Sequence, residues 1–393
     1  MDDLIFEHSA DFDPAGDLEG FLKQTPARWA VYLLADEADR PVQLLCVKNL
    51  RASLKRRLGG IDEAEPSKRV DYRQLVRKIY WRRVDSRFEA DLVYLDAARA
   101  IFPETYRGMV GFRYSWFVHV NPEANFPRYI KTNDLGIKTG TLIGPVEDKH
   151  AANKLIQIAE DAFDLCRYYN ILIEAPHGKA CAYKEMGKCP APCDGSISMD
   201  EYLRMVELSA EVIVDPGDYL REMNKQMTVL AGQLKFEAAA KIKAKVELLG
   251  QLGHGPFRFA RKLEDFNYLA LQKGPWEGTA KVFLVTPGQV EEIAGLTREC
   301  GNEAELLREI LATTESRRAS FVDEPGAERV AIVTYHLFSP KNAPGVFLRI
   351  DELDDRAIAK AYRDLMKQAS PEEEEGEGII KELVTQDPPV SLL

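Results

Sequence analysis

Four of the six cysteines fall within 28 residues: Cys166 in FDLCRYY, then Cys181, Cys189 and Cys193 in ACAYKEMGKCPAPCDG. Thiolates hold metals, and neighbouring loop residues can aim two sulfurs at one centre at little cost. The spacing is Cys-x14-Cys-x7-Cys-x3-Cys, with a single close pair at its end. Structural zinc generally uses a close pair on each side of the ion, whereas thiolates hold iron–sulfur clusters at looser spacings. Spacing alone leaves zinc, a cluster or no metal open. Pro190 and Pro192 stiffen the loop between the last two cysteines by fixing φ. Cys46 and Cys300 stand apart and read as buried, inert thiols.

The elements that position these residues belong to a chain of 393 residues, 45% hydrophobic, with a formal net charge of −11. Its length predicts two or three domains. The acidic start, MDDLIFEHSADFDPAGD, has no long apolar run, so no signal peptide is expected. No stretch approaches the ~20 apolar residues of a membrane span. A soluble cytoplasmic protein without membrane contact is expected, and structural disulfides are not. The acidic balance argues against a protein that coats DNA. Residues 48–84 nevertheless hold twelve Lys or Arg against four Asp or Glu, with Tyr72, Tyr80 and Trp81 among them. Such a patch, represented by Arg56, Arg57, Arg82 and Arg83, either meets phosphates or forms a solvated helix face.

Periodicity predicts an α+β chain. ARWAVYLLAD and RPVQLLCVKNL read as strands, NLRASLKRRLGG as a helix closed by glycine. Helices are also predicted over VDYRQLVRKIYWRRV, SRFEADLVYLDAARAIF and DKHAANKLIQIAEDAFDLCRYY, and strands over YSWFVHVN and FPRYIKT. Beyond the cysteines, Leu220, Met223, Met227, Leu230 and Leu234 form one apolar seam, and Phe236, Ala239, Ile242, Val246 and Leu249 another. Two adjacent seams predict an antiparallel helical hairpin, which either packs on its own core or docks a partner. After residue 256, FNYLALQKG, AKVFLVTPG and RVAIVTYHLF look strand-like, and EAELLREILATTESR and DDRAIAKAYRDLMKQ helix-like. The expected organisation is a first domain over 15–107, linking strands and the cysteine module over 108–213, the hairpin over 214–255, a small α/β domain over 256–370 and an acidic flexible tail over 371–393.

In order along the chain, several of these segments resemble UvrC, the endonuclease subunit of nucleotide excision repair. ACAYKEMGKCPAPCDGSISMDEY resembles its cluster-binding segment, and LKFEAAAKIKAKVELL its UVR motif, the hairpin that contacts UvrB. FLKQTPARWAVYLLAD and VKNL resemble the opening of its GIY-YIG nuclease domain, and FPRYIKT and LIGP a later strand and Gly-Pro turn. The resemblance covers roughly residues 15–255. It implies a 4Fe–4S cluster on Cys166, Cys181, Cys189 and Cys193, with structural zinc as the alternative. It implies a UvrB-like partner on the hairpin, at Phe236, Ala239, Ile242 and Lys243, and DNA as a second partner.

The same resemblance implies a degenerate nuclease. GIY-YIG chemistry needs two tyrosines, a lysine, an arginine, a metal-holding glutamate and an asparagine, because water must be deprotonated and phosphate charge stabilised. Tyr32 matches the first tyrosine. The second becomes Gln43, the lysine Cys46, the arginine Ser53, the glutamate Tyr94 and the asparagine Tyr106. Arg51 or Arg56, and Glu89, could take over only after a register shift in two places. Residues 256–370 are too short for the RNase H-like and helix-hairpin-helix parts of UvrC. The expected function is a nuclease-dead, repair-associated adaptor. A diverged active nuclease and an iron–sulfur scaffold of another pathway are the alternatives.

Overall fold

A computed structural model describes residues 5–59, 70–111, 114–298, 303–339 and 344–368. Cys300 and the acidic tail over 371–393 lie outside the described residues. The elements run β1 (His8–Asp11), α1 (Leu18–Gln24), β2 (Ala30–Ala35), β3 (Pro41–Val47), α2 (Leu50–Leu58), α3 (Tyr72–Leu75), β4 (Lys78–Arg83), α4 (Arg87–Ile101) and α5 (Tyr106–Met109). Then come β5 (Trp116–Val120), β6 (Ile130–Thr132), β7 (Thr141–Val146), α6 (Lys149–Ala162), α7 (Tyr169–Leu172), α8 (Ala182–Glu185), α9 (Met199–Val214), α10 (Gly217–Gly232) and α11 (Phe236–Leu249). The last part holds β8 (Arg261–Lys262), β9 (Tyr268–Lys273), β10 (Ala280–Thr286), β11 (Gln289–Leu296), α12 (Glu303–Ser316), α13 (Glu324–Phe338), β12 (Val346–Arg349) and α14 (Asp355–Lys367).

The fold is mixed α+β, with three antiparallel four-stranded sheets ordered β1-β4-β2-β3, β6-β5-β7-β8 and β11-β10-β9-β12. In the first sheet, Tyr32, Leu34 and Leu45 face α2, where Leu50, Leu54 and Leu58 close one core. Val31, Leu33 and Leu44 face α4 on the other side. That second core does not stop at the sheet. Phe88 of α4 continues into Phe283 of β10 and Val330 and Val333 of α13, so the first and last units share one apolar interior. A separate core joins the middle sheet to α6 and α9 and reaches the base of the hairpin at Leu249.

Three sequence expectations fail. RVAIVTYHLF is not a strand but the body of α13. Its β-branched residues mimic a buried strand because nearly the whole helix is buried, while Asp323 caps the first turn and accepts from Gly326 N. VDYRQLVRKIYWRRV is not a helix. It makes one turn, α3, and then β4, whose Ile79, Tyr80 and Trp81 are buried against β2 on one side and β1 on the other. The pairing of β4 between two strands outweighs the helical propensity of its basic residues. Gly144–Pro145 of LIGP lies within β7 and not in a turn.

Candidate metal centre, nuclease-like face and hairpin

The cysteine loop leaves α6 after Phe163 and returns to helix at α9. Ser198 starts α9 with a reciprocal capping box: its hydroxyl accepts from Glu201 N, and Glu201 accepts from Ser198 N. Between these helices regular structure is scarce, and side chains and turns shape the backbone. Ala191 sits at φ 59°, a conformation rare for a residue with a side chain, between Cys189 and Cys193. Gly178 N donates to Cys193 O at 2.8 Å, and Ser196 N donates to Ala191 O. Lys184 Nζ donates to Asp194 at 2.5 Å and to Ser196 at 2.6 Å, tying α8 to the turn after Cys193. The Lys184 ammonium, with the Ser196 hydroxyl, holds the Asp194 carboxyl down to about 2.

Cys166, Cys189 and Cys193 are buried and Cys181 is half-buried. The thiols of Cys166 and Cys189 interact with each other: Cys166 is raised by Cys189 and by burial, and Cys189 is lowered by Cys166. Cys193 interacts electrostatically with Cys189 and Cys181 and is raised chiefly by burial. Arg167 lowers Cys189 further. Its guanidinium lies 4.3 Å from the centre of the Tyr183 ring and is ion-paired with Asp161. Cys166 N donates to the buried Tyr202 hydroxyl at 3.2 Å. Among the described residues, no three His, Cys, Asp or Glu side chains converge at the spacing of a bound metal ion. Arg167, Tyr183 and Tyr202 escaped sequence reasoning, although Arg167 adjoins a cysteine in the chain.

The six matched nuclease positions do not share a pocket. Tyr32 is fully buried, its hydroxyl 2.9 Å from Ser53 Oγ. Gln43 Oε1 accepts from Arg57 at 2.8 Å on the same face. Burial pushes the Tyr32 phenol up, and Arg57 and the Ser53 hydrogen bond pull the other way. Cys46 pairs with Val31 and so points to the opposite face of the sheet, with α4. Burial, aided by the Asp91 carboxylate, pushes its thiol up to about 12, and burial together with Cys46 does the same to Tyr94. Tyr106 donates to Glu328 of α13 at 2.9 Å.

Glu89 is not free to hold a metal. Its Oε2 accepts from Asp85 N at 2.8 Å, and Oε1 accepts from Lys281 Nζ at 2.7 Å. Lys281 also meets Asp85 at 2.9 Å and Glu292 at 3.6 Å. The outer face of α4 is covered by α13. His336 Nε2 donates to Asp91 at 2.9 Å, Arg329 to Asp96 at 2.8 Å, and Arg99 is ion-paired with Glu328. Arg51 is held by the Thr25 carbonyl at 2.7 Å. Sequence reasoning missed Lys281, Glu328 and His336, which carry no motif and lie about 190 to 245 residues from their partners.

The four arginines do not form one patch. Arg82 and Arg83 are consecutive on β4 and point to opposite faces, and Arg82 pairs with Glu7 at 3.3 Å. Arg57 lies across Tyr72, 5.2 Å from its centre, while Arg56 and Arg83 are exposed. The hairpin forms as two antiparallel helices, α10 and α11, turned by Leu234 at φ 61°. Its root is buried through Met223 and Leu249, and Lys245 is paired with Asp164 at 2.9 Å. Its tip is apolar and open: Val229, Leu234 and Phe236 are 57%, 73% and 63% exposed. Ala239 is buried, Ile242 half-buried, and Lys243 exposed beside Glu247. No helix among the described residues is long and apolar enough to cross a membrane.

Residues 114–211, which contain all four clustered cysteines, match the family described as UvrC/Cho excinuclease, middle domain. Similar curated proteins include the UvrABC system protein C of Campylobacter jejuni subsp. jejuni, 25% identical over 260 residues, covering 65% of this chain and 42% of that one. The UvrABC system protein C of Caldanaerobacter subterraneus subsp. tengcongensis is 23% identical over 277 residues (70% and 45%). That of Acetivibrio thermocellus is 20% identical over 276 residues (70% and 44%). The matches thus span less than half the length of these relatives. No solved structure gives a significant match. With the middle-domain match over the cysteine segment and alignments reaching about two thirds of its length, the chain is a UvrC-related protein.

Proposed function

We propose that this chain is a non-catalytic adaptor of nucleotide excision repair, a degenerate GIY-YIG unit joined to a cluster module and a partner-binding hairpin. One observation carries the reading: the residues that would have to cut DNA are tied up on both sides of the first sheet. Tyr32 is wholly buried and hydrogen-bonded to Ser53, and Glu89 is bound by Lys281. Phosphodiester hydrolysis needs an activated water, a cation and a metal around one open phosphate site. Gln43, Cys46, Ser53, Tyr94 and Tyr106 supply neither a metal ligand of the required kind nor the cations.

Cys166, Cys181, Cys189 and Cys193 would hold a 4Fe–4S cluster. An all-sulfur donor set fits it, and the mutual influence of Cys166 and Cys189 supports two of the sulfurs lying near each other. A bound cluster supplies cross-links where the loop has little apolar core of its own. Phe236, with Ala239, Ile242 and Lys243, would engage a UvrB-like protein, an aromatic anchor on an exposed helical tip being a recurrent docking device. Of the four arginines, Arg56 and Arg83 are the exposed ones that would meet DNA.

The test is incubation with a UvrB protein, magnesium or manganese, and damaged duplex DNA. Partner binding without incision is expected. Incision that vanishes in the Tyr32→Phe protein would overturn the reading.

A further inference from the structure

A cleft of about 670 Å³ opens where the middle unit, the root of the hairpin and the C-terminal unit meet. Its walls come from Val214 at the end of α9, Leu311 of α12 and Ile350 after β12, with Arg261, Asn267 and Arg349 between them. Asn267 is 9% exposed. Its Nδ2 donates to Glu264 O at 3.1 Å, but its Oδ1 is buried with no hydrogen-bond partner. A buried acceptor left unpaired is costly and calls for a donor.

Arg261 presents the complementary need. Its Nη1 donates to Ala260 O at 2.7 Å, and it enters no ion pair among the described residues. Burial disfavours its charge and the nearby Arg349 guanidinium adds repulsion, which the Asp351 and Asp215 carboxylates offset only in part. Arg349 is neutralised by Asp351 and by Glu352 at 3.2 Å, and Arg318 by Asp265 at 2.8 Å. Arg261 is therefore the arginine of this cleft with no direct ion pair among the described residues, its nearest carboxylates, Asp351 and Asp215, acting on it only from further off.

We propose that this cleft binds a small organic phosphate monoester: the phosphate on Arg261, a hydroxyl or amino donor on Asn267 Oδ1, and the apolar body against Val214, Leu311 and Ile350. The volume is that of a small-molecule site. A guanidinium suits a terminal phosphate, two of whose oxygens can accept from its fork of N–H donors. The rim sets the selectivity. Asp215, Glu315 and Asp351 are exposed there. A nucleic-acid strand carries a phosphate at every nucleotide and would lay several of them over that acidic rim, whereas a compact monoester brings one to the floor. Asp215 also lies two residues before α10, so the ligand would bear on the joint from which the hairpin rises.

The probe is adenosine monophosphate, titrated into the full chain by calorimetry, with adenosine, inorganic phosphate and a single-stranded oligonucleotide lacking terminal phosphates as comparisons. Adenosine monophosphate is expected to bind more tightly than the other three. Arg261→Gln, checked for a wild-type melting temperature, should weaken it roughly ten- to hundredfold, the worth of a charge-assisted hydrogen bond. Arg261→Lys should restore part of that loss. In the wild type, adenosine monophosphate should shift the side-chain amide resonances of Asn267 and leave those of Gln43 unmoved, which tests the site even if the variant does not fold. The proposal is overturned if adenosine monophosphate does not bind at millimolar concentration, if Arg261→Gln binds it as the wild type does, if the oligonucleotide competes equally, or if Asn267 is unshifted.

Discussion

Lys281→Met tests what fastens the C-terminal unit to the nuclease-like unit. Lys281 Nζ lies 2.7 Å from Glu89 and 2.9 Å from Asp85, and its side chain is 17% exposed. At an effective dielectric constant near 20, a unit pair at 2.7 Å gains about 6 kcal/mol of Coulomb energy, much of it spent on desolvating both groups. Removing one partner leaves the other buried and uncompensated, which typically costs about 3–5 kcal/mol. Methionine keeps the aliphatic stem, so packing loss adds little. Burial already raises Glu89 above its ordinary 4.5, and Lys281 is the main force opposing that rise. Without Lys281 the rise grows. The sign follows: above the variant's raised Glu89 value the ionised carboxylate bears the full penalty, and as pH falls through that value Glu89 takes up a proton and the penalty shrinks. Hydrogen exchange of α4 and β10 amides, expressed as protection factors, reads the effect. A loss of roughly hundredfold or more is expected near pH 8 and a much smaller one near pH 5. Protection unchanged within about threefold at pH 8, or an equal loss at both pH values, would refute the account.

Three further outcomes are expected. Protein purified without oxygen should carry iron and acid-labile sulfide at about four each per chain, and Cys189→Ser should lose both and make the 166–195 loop protease-sensitive; stoichiometric zinc without sulfide would exclude the cluster. Tyr32→Phe should cost about 1 kcal/mol in urea unfolding, the worth of one buried hydrogen bond to Ser53, with no change in DNA processing. Phe236→Ala should alter stability by no more than about 0.5 kcal/mol because the ring is exposed, yet weaken UvrB binding by ~2 kcal/mol; unfolding of this variant would make the ring structural.

The local signals were legible without a structure because they are periodic or adjacent in the chain. The apolar seams of α10 and α11, the glycine that closes α2 and the four clustered cysteines can each be read within a few residues. Where period and burial conflict, sequence misleads: α13 is buried on nearly all sides, so its Val330, Ile332 and Val333 imitate a strand. The contacts that fill the nuclease-like face depend on residues far apart in the chain. Glu89 meets Lys281, Asp91 meets His336 and Tyr106 meets Glu328 only after two units fold against each other. The cleft around Asn267 likewise draws on segments from 214 to 351. Sequence alone determined the cysteine spacing and the hairpin, because each is a matter of residue type and short spacing. Tertiary structure alone decided that Tyr32 and Cys46 point to opposite faces, that α13 covers α4, and that Arg261 and the unpaired Asn267 Oδ1 line one cleft, because strand register and the packing of distant elements have no signature in any local stretch of chain.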